Sequence, residues 1–235
     1  MSHSLRHHLE LLARVAPLSF SLVVSPVTTR TLPAQDAGNA AIDRAVAAYS
    51  KVRTARATFE QVVTNPLTGS KLQSRGAFEQ ARPDRFAFRF DDPKGDMIIS
   101  DGKFVWIYLP SSTPGQVIRA PLSSDMSGSI DLIGAFFTNP RTRYRVTDAG
   151  AATIGGHATR AVTLVPKGKD GSFTRAKVWI DAADGTLRQF EAEEPSGVVR
   201  LVTINTFTTN AAVPESSFRF KTPRGVKVVN QSDLP

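Results

Sequence analysis

The first pattern along the chain is a helical one. Apolar residues recur every three or four positions between residues 39 and 54, with charged residues between them. This spacing predicts an amphipathic helix from Asn39, as N-cap, to Thr54. The apolar positions are Ile42, Ala45, Val46, Tyr49 and Val52. Such a helix must lay one face on another element.

After this helix the period changes to two, which is typical of β-strands. The clearest strand is 85–90, where Phe86, Phe88 and Phe90 alternate with Arg85, Ala87 and Arg89. The other predicted strands are 56–63, 72–80, 97–100, 104–109, 144–147, 158–166, 173–181, 187–194, 198–208 and 218–221. No helix lies between successive strands, so these eleven strands predict an antiparallel sheet.

A long polar segment divides the predicted strands. Residues 111–129 are rich in Ser, Pro and Gly, which predicts a loop. Residues 129–138 predict a short helix that is apolar on almost every side, ended by Asn139-Pro140. A helix of that composition is either buried in the protein or exposes an apolar surface that has a function.

The number of aromatic residues bears on the shape of the sheet. Thirteen phenylalanines follow residue 34, and the strand at 104–109 is apolar on both faces. Two short helices cannot cover both faces of one flat sheet, so we predict a sheet curled round an apolar interior. That interior is either a packed core or a pocket for acyl chains, which are recognised by apolar area.

The N-terminal segment has the pattern of an export signal. Arg6 and Arg14 precede an uncharged stretch, 15–29, whose apolar part is too short for a membrane span and is of the length of a secretory h-region. Ala34 supplies a small residue for cleavage. We therefore predict a signal peptide over 1–34 and a single exported domain over 35–235, the alternative being a disordered tail. The net charge of +8 falls by about two on cleavage.

Composition argues against most catalytic and cofactor chemistry. The chain has no cysteine and four histidines, of which only His157 lies beyond residue 8. No nucleophile elbow, P-loop or dinucleotide motif occurs, so we predict no enzyme activity, no cofactor and no metal site. The basic residues are dispersed, which argues against a nucleic-acid partner despite the net charge.

The order of short motifs resembles one protein family. These motifs run from Ala40 to Val229 and include Arg56-Ala-Thr-Phe-Glu-Gln61, Ala81-Arg-Pro-Asp-Arg-Phe86, Ile99-Ser-Asp-Gly-Lys103, Val178-Trp-Ile-Asp181 and Phe218-Arg-Phe-Lys-Thr-Pro-Arg-Gly225. In this order they resemble the periplasmic outer-membrane lipoprotein carriers of the LolA family. The resemblance implies a mainly β fold, an unclosed antiparallel barrel with a helical lid over a hydrophobic cavity.

The same resemblance implies partners and a set of site residues. The partners are acylated lipoproteins, an inner-membrane ABC transporter that releases them and, where present, an outer-membrane lipoprotein receptor; the carrier is expected to be a monomer in the periplasm. The arginine before the motif proline, here Arg82, would latch the lid by bonding main-chain carbonyls. The implied cavity residues are Phe59, Phe78, Phe86, Phe88, Trp106 and Ile133. The receptor relative is anchored through a cysteine that this chain lacks, and the alternative is an envelope sensor module of the same fold.

Overall fold

The computed structural model of the chain describes residues 34–122, 132–168 and 172–233. Apart from Ala34, the predicted signal peptide lies outside the described residues, so its cleavage stays a prediction. The helices are α1 (Ala34–Ser50), α2 (Leu132–Phe137) and α3 (Pro140–Arg143), with short 3-10 turns at Glu215–Phe218 and Gln231–Asp233. Within the described ranges no helix is long and apolar enough to span a bilayer.

Twelve strands form one sheet. They are β1 (Thr54–Thr64), β2 (Lys71–Ala81), β3 (Arg85–Asp92), β4 (Met97–Asp101), β5 (Phe104–Tyr108), β6 (Gln116–Pro121), β7 (Tyr144–Ile154), β8 (His157–Pro166), β9 (Arg175–Asp181), β10 (Leu187–Glu193), β11 (Val199–Thr209) and β12 (Lys227–Asn230). Their order is β12-β6-β5-β4-β3-β2-β1-β11-β10-β9-β8-β7. The two edge strands do not pair, so the barrel is unclosed, as predicted.

The sheet departs from the sequence prediction at three places. β6 lies inside the segment predicted as loop, because its apolar residues are few and surrounded by Ser, Pro and Gly. Residues 218–221 form no strand; the chain makes the Glu215–Phe218 turn there and pairs later, as β12. β12 runs parallel to β6, so one pairing of the sheet is not antiparallel.

The helix predicted from Asn39 begins earlier, at Ala34, and Asn39 lies within it.

Each face of the sheet carries its own apolar cluster. The face that we call inner carries the main core, where buried residues of β1–β3, β5 and β8–β11 join those of α1 and α2. On the outer face, Ala87 and Ile99 form a smaller cluster with Phe218, next to the C-terminal segment. The outer face is thus covered at β3 and β4 by the segment that follows β11.

α1 covers the β7–β9 side of the inner face. Its buried residues Ala41, Ile42, Ala45 and Tyr49 recur at helical spacing and form part of the main core. Gly38 permits close approach to β7, since a Cβ there would lie 2.9 Å from the Cβ of Asp148. The N-terminal half of the helix is thereby held against an edge strand, a contact that only glycine allows without displacement.

Candidate functional site

Five phenylalanines on the inner face form the candidate site, which we call the phenylalanine cluster: Phe59, Phe78, Phe86, Phe88 and Phe90. Strand register brings them together, because Phe78 pairs with Phe88 across β2 and β3 and Gly76 pairs with both Phe59 and Phe90. The Phe88 ring lies 4.6 Å from that of Phe78 and 5.9 Å from that of Phe59, centroid to centroid. These spacings are typical of favourable aromatic pairs.

Gly76 is required for this arrangement. A Cβ at this position would lie 2.1 Å from the Arg89 carbonyl oxygen, closer than any side chain tolerates. The pairing of β2 with β3 also shifts between Arg75 and Gly76. The glycine therefore allows the backbones of β2 and β3 to approach closely beside Phe59 and Phe90, whose ring centroids lie 5.6 Å apart.

The cluster is buried at its base and open along its side. Phe59, Phe78 and Phe86 are 5–6% exposed, whereas Phe88 and Phe90 are partly exposed. The partly exposed side continues across two more strands, because Phe88 pairs with Ile98 and Ile98 pairs with Ile107. The inner face thus presents a continuous apolar strip over β3, β4 and β5.

The opposite half of the interior is filled by α2. Phe136 and Phe137 are each 3% exposed. The Phe136 ring lies 5.1 Å from that of Phe190 on β10, and the Phe137 ring lies 6.4 Å from that of Tyr49 on α1. The two helices thus pack together over the β8–β10 side, which is a packed core.

Two neighbouring side chains hold α2 through one carbonyl. The Tyr144 hydroxyl donates to the Ala135 carbonyl oxygen over 2.7 Å, and the Arg143 guanidinium donates to the same oxygen over 3.1 Å. Burial raises the pKa of the Tyr144 hydroxyl, although the nearby Arg143 charge opposes this rise, so the group remains a donor at neutral pH. The sequence did not predict this clamp. Arg143 and Tyr144 follow Ala135 by eight and nine residues and lie outside its helix, and no local sequence pattern indicates such a contact.

Arg82 lies at the C-terminal end of α1. Its Nη1 donates to the carbonyl oxygens of Tyr49 and Val52, each over 3.4 Å, and its guanidinium lies 4.5 Å from the centre of the Tyr49 ring. Main-chain carbonyls are the kind of partner that the resemblance implied for this arginine, and its role as a latch stays a prediction. The Tyr49 carbonyl belongs to the last turn of α1, whereas Val52 lies in the connection that joins α1 to β1, and both hydrogen bonds are long.

The structure brings together four of the six predicted cavity residues. Phe59, Phe78, Phe86 and Phe88 meet in the cluster. Trp106 lies on the outer face, where its ring stacks on Phe220 at 5.3 Å and its Nε1 donates to Asp101; assigning it to the cavity was wrong. Its strand is apolar on both faces, and the neighbouring Val105 and Ile107 face inward instead. The Ile133 side chain lies outside the described residues, and Phe90 was missed as a site residue although the alternation in its strand indicates it.

One buried polar group lies beside the cluster. Gln80 is 2% exposed, and its Oε1 has no hydrogen-bond partner among the described residues. It pairs with Phe86 across β2 and β3. Apart from such isolated groups the site is apolar, so it is suited to bind by apolar area and not by ion pairing.

The buried carboxylates that the structure describes, Asp96 and Asp181, are held by hydrogen bonds or ion pairs. Asp181, which is 3% exposed, is paired with Arg188 and His157. Burial opposes its ionisation, but hydrogen bonds from backbone N–H groups and from Arg188 lower its pKa below the usual aspartate range. In the part of the chain that the structure describes, no group of His, Asp and Glu side chains has the arrangement of a metal site.

The chain is similar to known proteins in its sequence and in its fold. The sequence profile of the family described as "Outer membrane lipoprotein carrier protein LolA" matches residues 50–221. An outer-membrane lipoprotein carrier protein of Methylibium petroleiphilum is 30% identical over 81% of this chain and 90% of its own length, and one of Leptothrix cholodnii is 31% identical over 77% and 81%. An uncharacterised conserved protein of Thermus thermophilus has the same fold, with a TM-score of 0.52 and 15% identity over 83% of this chain and 99% of its own.

Proposed function

The chain belongs to the LolA family of outer membrane lipoprotein carrier proteins, and on that premise we propose that it is a periplasmic chaperone. It shields the acyl chains of lipoproteins in its apolar interior while they cross between the inner and outer membranes. It acts by binding and release, without catalysis.

The observation that carries the proposal is the open side of the phenylalanine cluster. Phe88 and Phe90 remain partly exposed in an interior whose other half is packed by α2. An acyl chain of about a dozen methylene groups gains about 0.8 kcal/mol for each group that leaves water. The strip from Phe88 through Ile98 to Ile107 offers such a chain an apolar surface whose side chains have no hydrogen-bonding groups to satisfy.

The remaining parts of the function follow from family membership as proposals. The chain receives acylated lipoproteins from an inner-membrane ABC transporter and delivers them to an outer-membrane receptor where one exists, acting as a monomer. Export places it in the periplasm, with a mature N-terminus near Gln35. N-terminal sequencing of protein from native cells tests this, and an intact Met1 would contradict it.

Arg82 has a proposed role in this cycle. Its two long hydrogen bonds join the end of β2 to the end of α1. We propose that they favour the closed position of the lid and compete weakly with bound acyl chains. Because α1 is also tethered to β1 by the chain itself, Arg82 restrains the angle of the helix and does not hold it in place alone.

The test is the binding of a fluorescent acyl probe, displaced by a synthetic lipopeptide. Phe88→Glu places a charge on the open side of the cluster, and we expect it to weaken probe binding at least about tenfold, because a carboxylate there must be desolvated by the ligand. Phe88 is preferred to Phe86, whose 5% exposure means that a charge would disrupt folding.

Phe220→Glu is the matched control. Phe220 is also a partly exposed phenylalanine with aromatic neighbours, but it lies on the outer face against Trp106 and Tyr108. We expect unchanged probe binding in this variant. Equal losses in both variants, or a wild-type protein that binds neither probe nor lipopeptide, would show that the interior is a packed core and refute the proposal.

A further inference from the structure

The most exposed large hydrophobic side chains of the described residues lie at one end of the β1–β2 hairpin. Leu67 is 87% exposed and Leu72 is 62% exposed, and the remaining exposed large hydrophobic, Val228 at 39%, lies on β12. Single exposed leucines are common on protein surfaces. Two within six residues, at a turn, form a local apolar surface that the cluster and the lid do not use. We call residues 65–72 the leucine tip.

The turn that presents Leu67 is built from its own hydrogen bonds. The Asn65 N–H donates to the Ser70 carbonyl, the Gly69 N–H donates to the Asn65 carbonyl, and the Leu67 N–H donates to the Asn65 side-chain oxygen, each over 2.9 Å. Gly69 has a φ of +69°, a conformation suited to glycine. The leucine is therefore held away from the protein by a defined turn.

The leucine tip continues the inner face of the sheet. Along β1 and β2 the pairs Ala57–Phe78, Phe59–Gly76, Gln61–Ser74 and Val63–Leu72 follow one another in register, and alternate residues share a face. Leu72 is thus on the same face as the phenylalanine cluster. Between them lies one polar pair, in which Gln61 donates to Ser74 over 3.1 Å.

The charge around the tip is positive. Residues 61–75 contain Lys71 and Arg75 and no acidic residue. In the neighbouring β10–β11 turn, Glu194 is paired with Arg200 at 3.0 Å. Glu193, at the end of β10, is paired with Arg175 at 3.1 Å. Arg75 lies outside the tip and pairs in register with Glu60 on β1 and Asp92 on β3, so the charge of the tip itself is that of Lys71. Projecting leucines beside a cation are suited to the surface of an anionic membrane.

We propose that the leucine tip inserts Leu67 and Leu72 into the headgroup region of a bilayer that contains anionic phospholipid, and so brings the inner face to the membrane when cargo is exchanged. The proposal deepens the proposed function and rests on it. A protein partner is disfavoured, because an ordinary interface needs about 800 Å² from each side and a narrow projecting turn offers far less. The contact is transient, since two leucines provide only weak membrane affinity.

The test is flotation of the protein, as isolated from its host, with vesicles of phosphatidylethanolamine and phosphatidylglycerol. Moving one exposed leucine from water into an apolar phase is worth about tenfold or more in partitioning. We therefore expect Leu67→Ser and Leu72→Ser each to lower the partition coefficient by about that factor, with Val228→Ser unchanged as matched control. Lys71→Glu should weaken binding at low salt and less at high salt, where screening removes the charge contribution.

Three results would overturn the proposal. Wild-type protein could fail to bind vesicles, the leucine variants could bind as well as wild type, or the variants could impair delivery only to vesicles that carry a receptor protein, which would identify a protein partner. Probe loading, measured in the same variants, separates this test from that of the proposed function. If Leu67→Ser loads the probe normally but no longer binds vesicles, the result supports the membrane role of the leucine tip. If the wild-type protein does not load the probe, lipoprotein carriage is refuted, and vesicle binding is then judged from the flotation result alone.

Discussion

Removing the Tyr144 hydroxyl tests whether the Ala135 clamp stabilises α2. Tyr144→Phe keeps the ring, which is 3% exposed and packs 5.5 Å from the Phe173 ring. It deletes the hydroxyl that donates to the Ala135 carbonyl over 2.7 Å. The loss of one buried hydrogen bond costs about 0.5–1.5 kcal/mol when its partner keeps another donor, and Arg143 is that donor.

The second donor makes a sharper test possible. Arg143→Met removes an exposed donor at 3.1 Å, so we expect a loss of about 0.5 kcal/mol. In the double variant the carbonyl loses both side-chain donors and its desolvation is no longer offset, which costs about 1–3 kcal/mol. The double variant should therefore lose about 0.5 kcal/mol more than the sum of the single losses, taking the middle of these ranges.

Urea unfolding followed by circular dichroism gives the four free energies of this cycle. Hydrogen exchange at the Thr138 amide, which donates to the Gly134 carbonyl over 2.8 Å, reports whether α2 opens locally. Tyr108→Phe, a partly exposed tyrosine on the outer face, is the control and should change neither quantity. A Tyr144→Phe variant as stable as wild type, together with strictly additive losses, would refute the argument that one carbonyl secures α2.

Two further predictions concern Arg82 and an acid-sensitive ion pair. Arg82→Leu should lower the free energy of unfolding by less than about 1 kcal/mol, because both hydrogen bonds of Arg82 are 3.4 Å long. The variant should load cargo normally but transfer it more slowly to acceptor membranes. Unchanged transfer at equal loading would show that Arg82 has no role in the mechanism. Hydrogen bonds from Arg160 lower the pKa of Asp148, so the stability that this pair contributes is present at neutral pH and is lost as pH falls below about 4, the pKa of unfolded aspartate. Acid titration of the unfolding free energy should show this decline, and Asp148→Asn should flatten it; an identical acid decline in the variant would contradict the assignment.

The sequence determined the fold class because alternation and turn residues are local signals. The apolar period of two predicted eleven strands, and ten of them have counterparts in the sheet. The Phe86, Phe88 and Phe90 alternation identified the strand at the centre of the candidate site. Neighbouring residues of one strand set these patterns, so no knowledge of distant contacts was needed.

Sequence patterns did not predict the structure correctly where a strand is short or is apolar on both faces. β6 and β12 contain few alternating positions, and their pairing joins residues 116–119 to 227–230, which only the folded chain brings together. Trp106 was assigned to the wrong face because its strand is apolar on both. A period of two fixes which residues share a face but not which face turns inward.

The site contacts required the tertiary structure. The opening of the cluster at Phe88 depends on which half of the interior α2 fills, and that depends on where the sheet curls. The clamp on Ala135 arises from the bend between α2 and β7, and the exposure of Leu67 from the projection of a hairpin. Each of these features depends on how helices and strands pack together, which is set by side chains far apart in sequence. The sequence by itself determined the number and spacing of the apolar residues that this packing must bury.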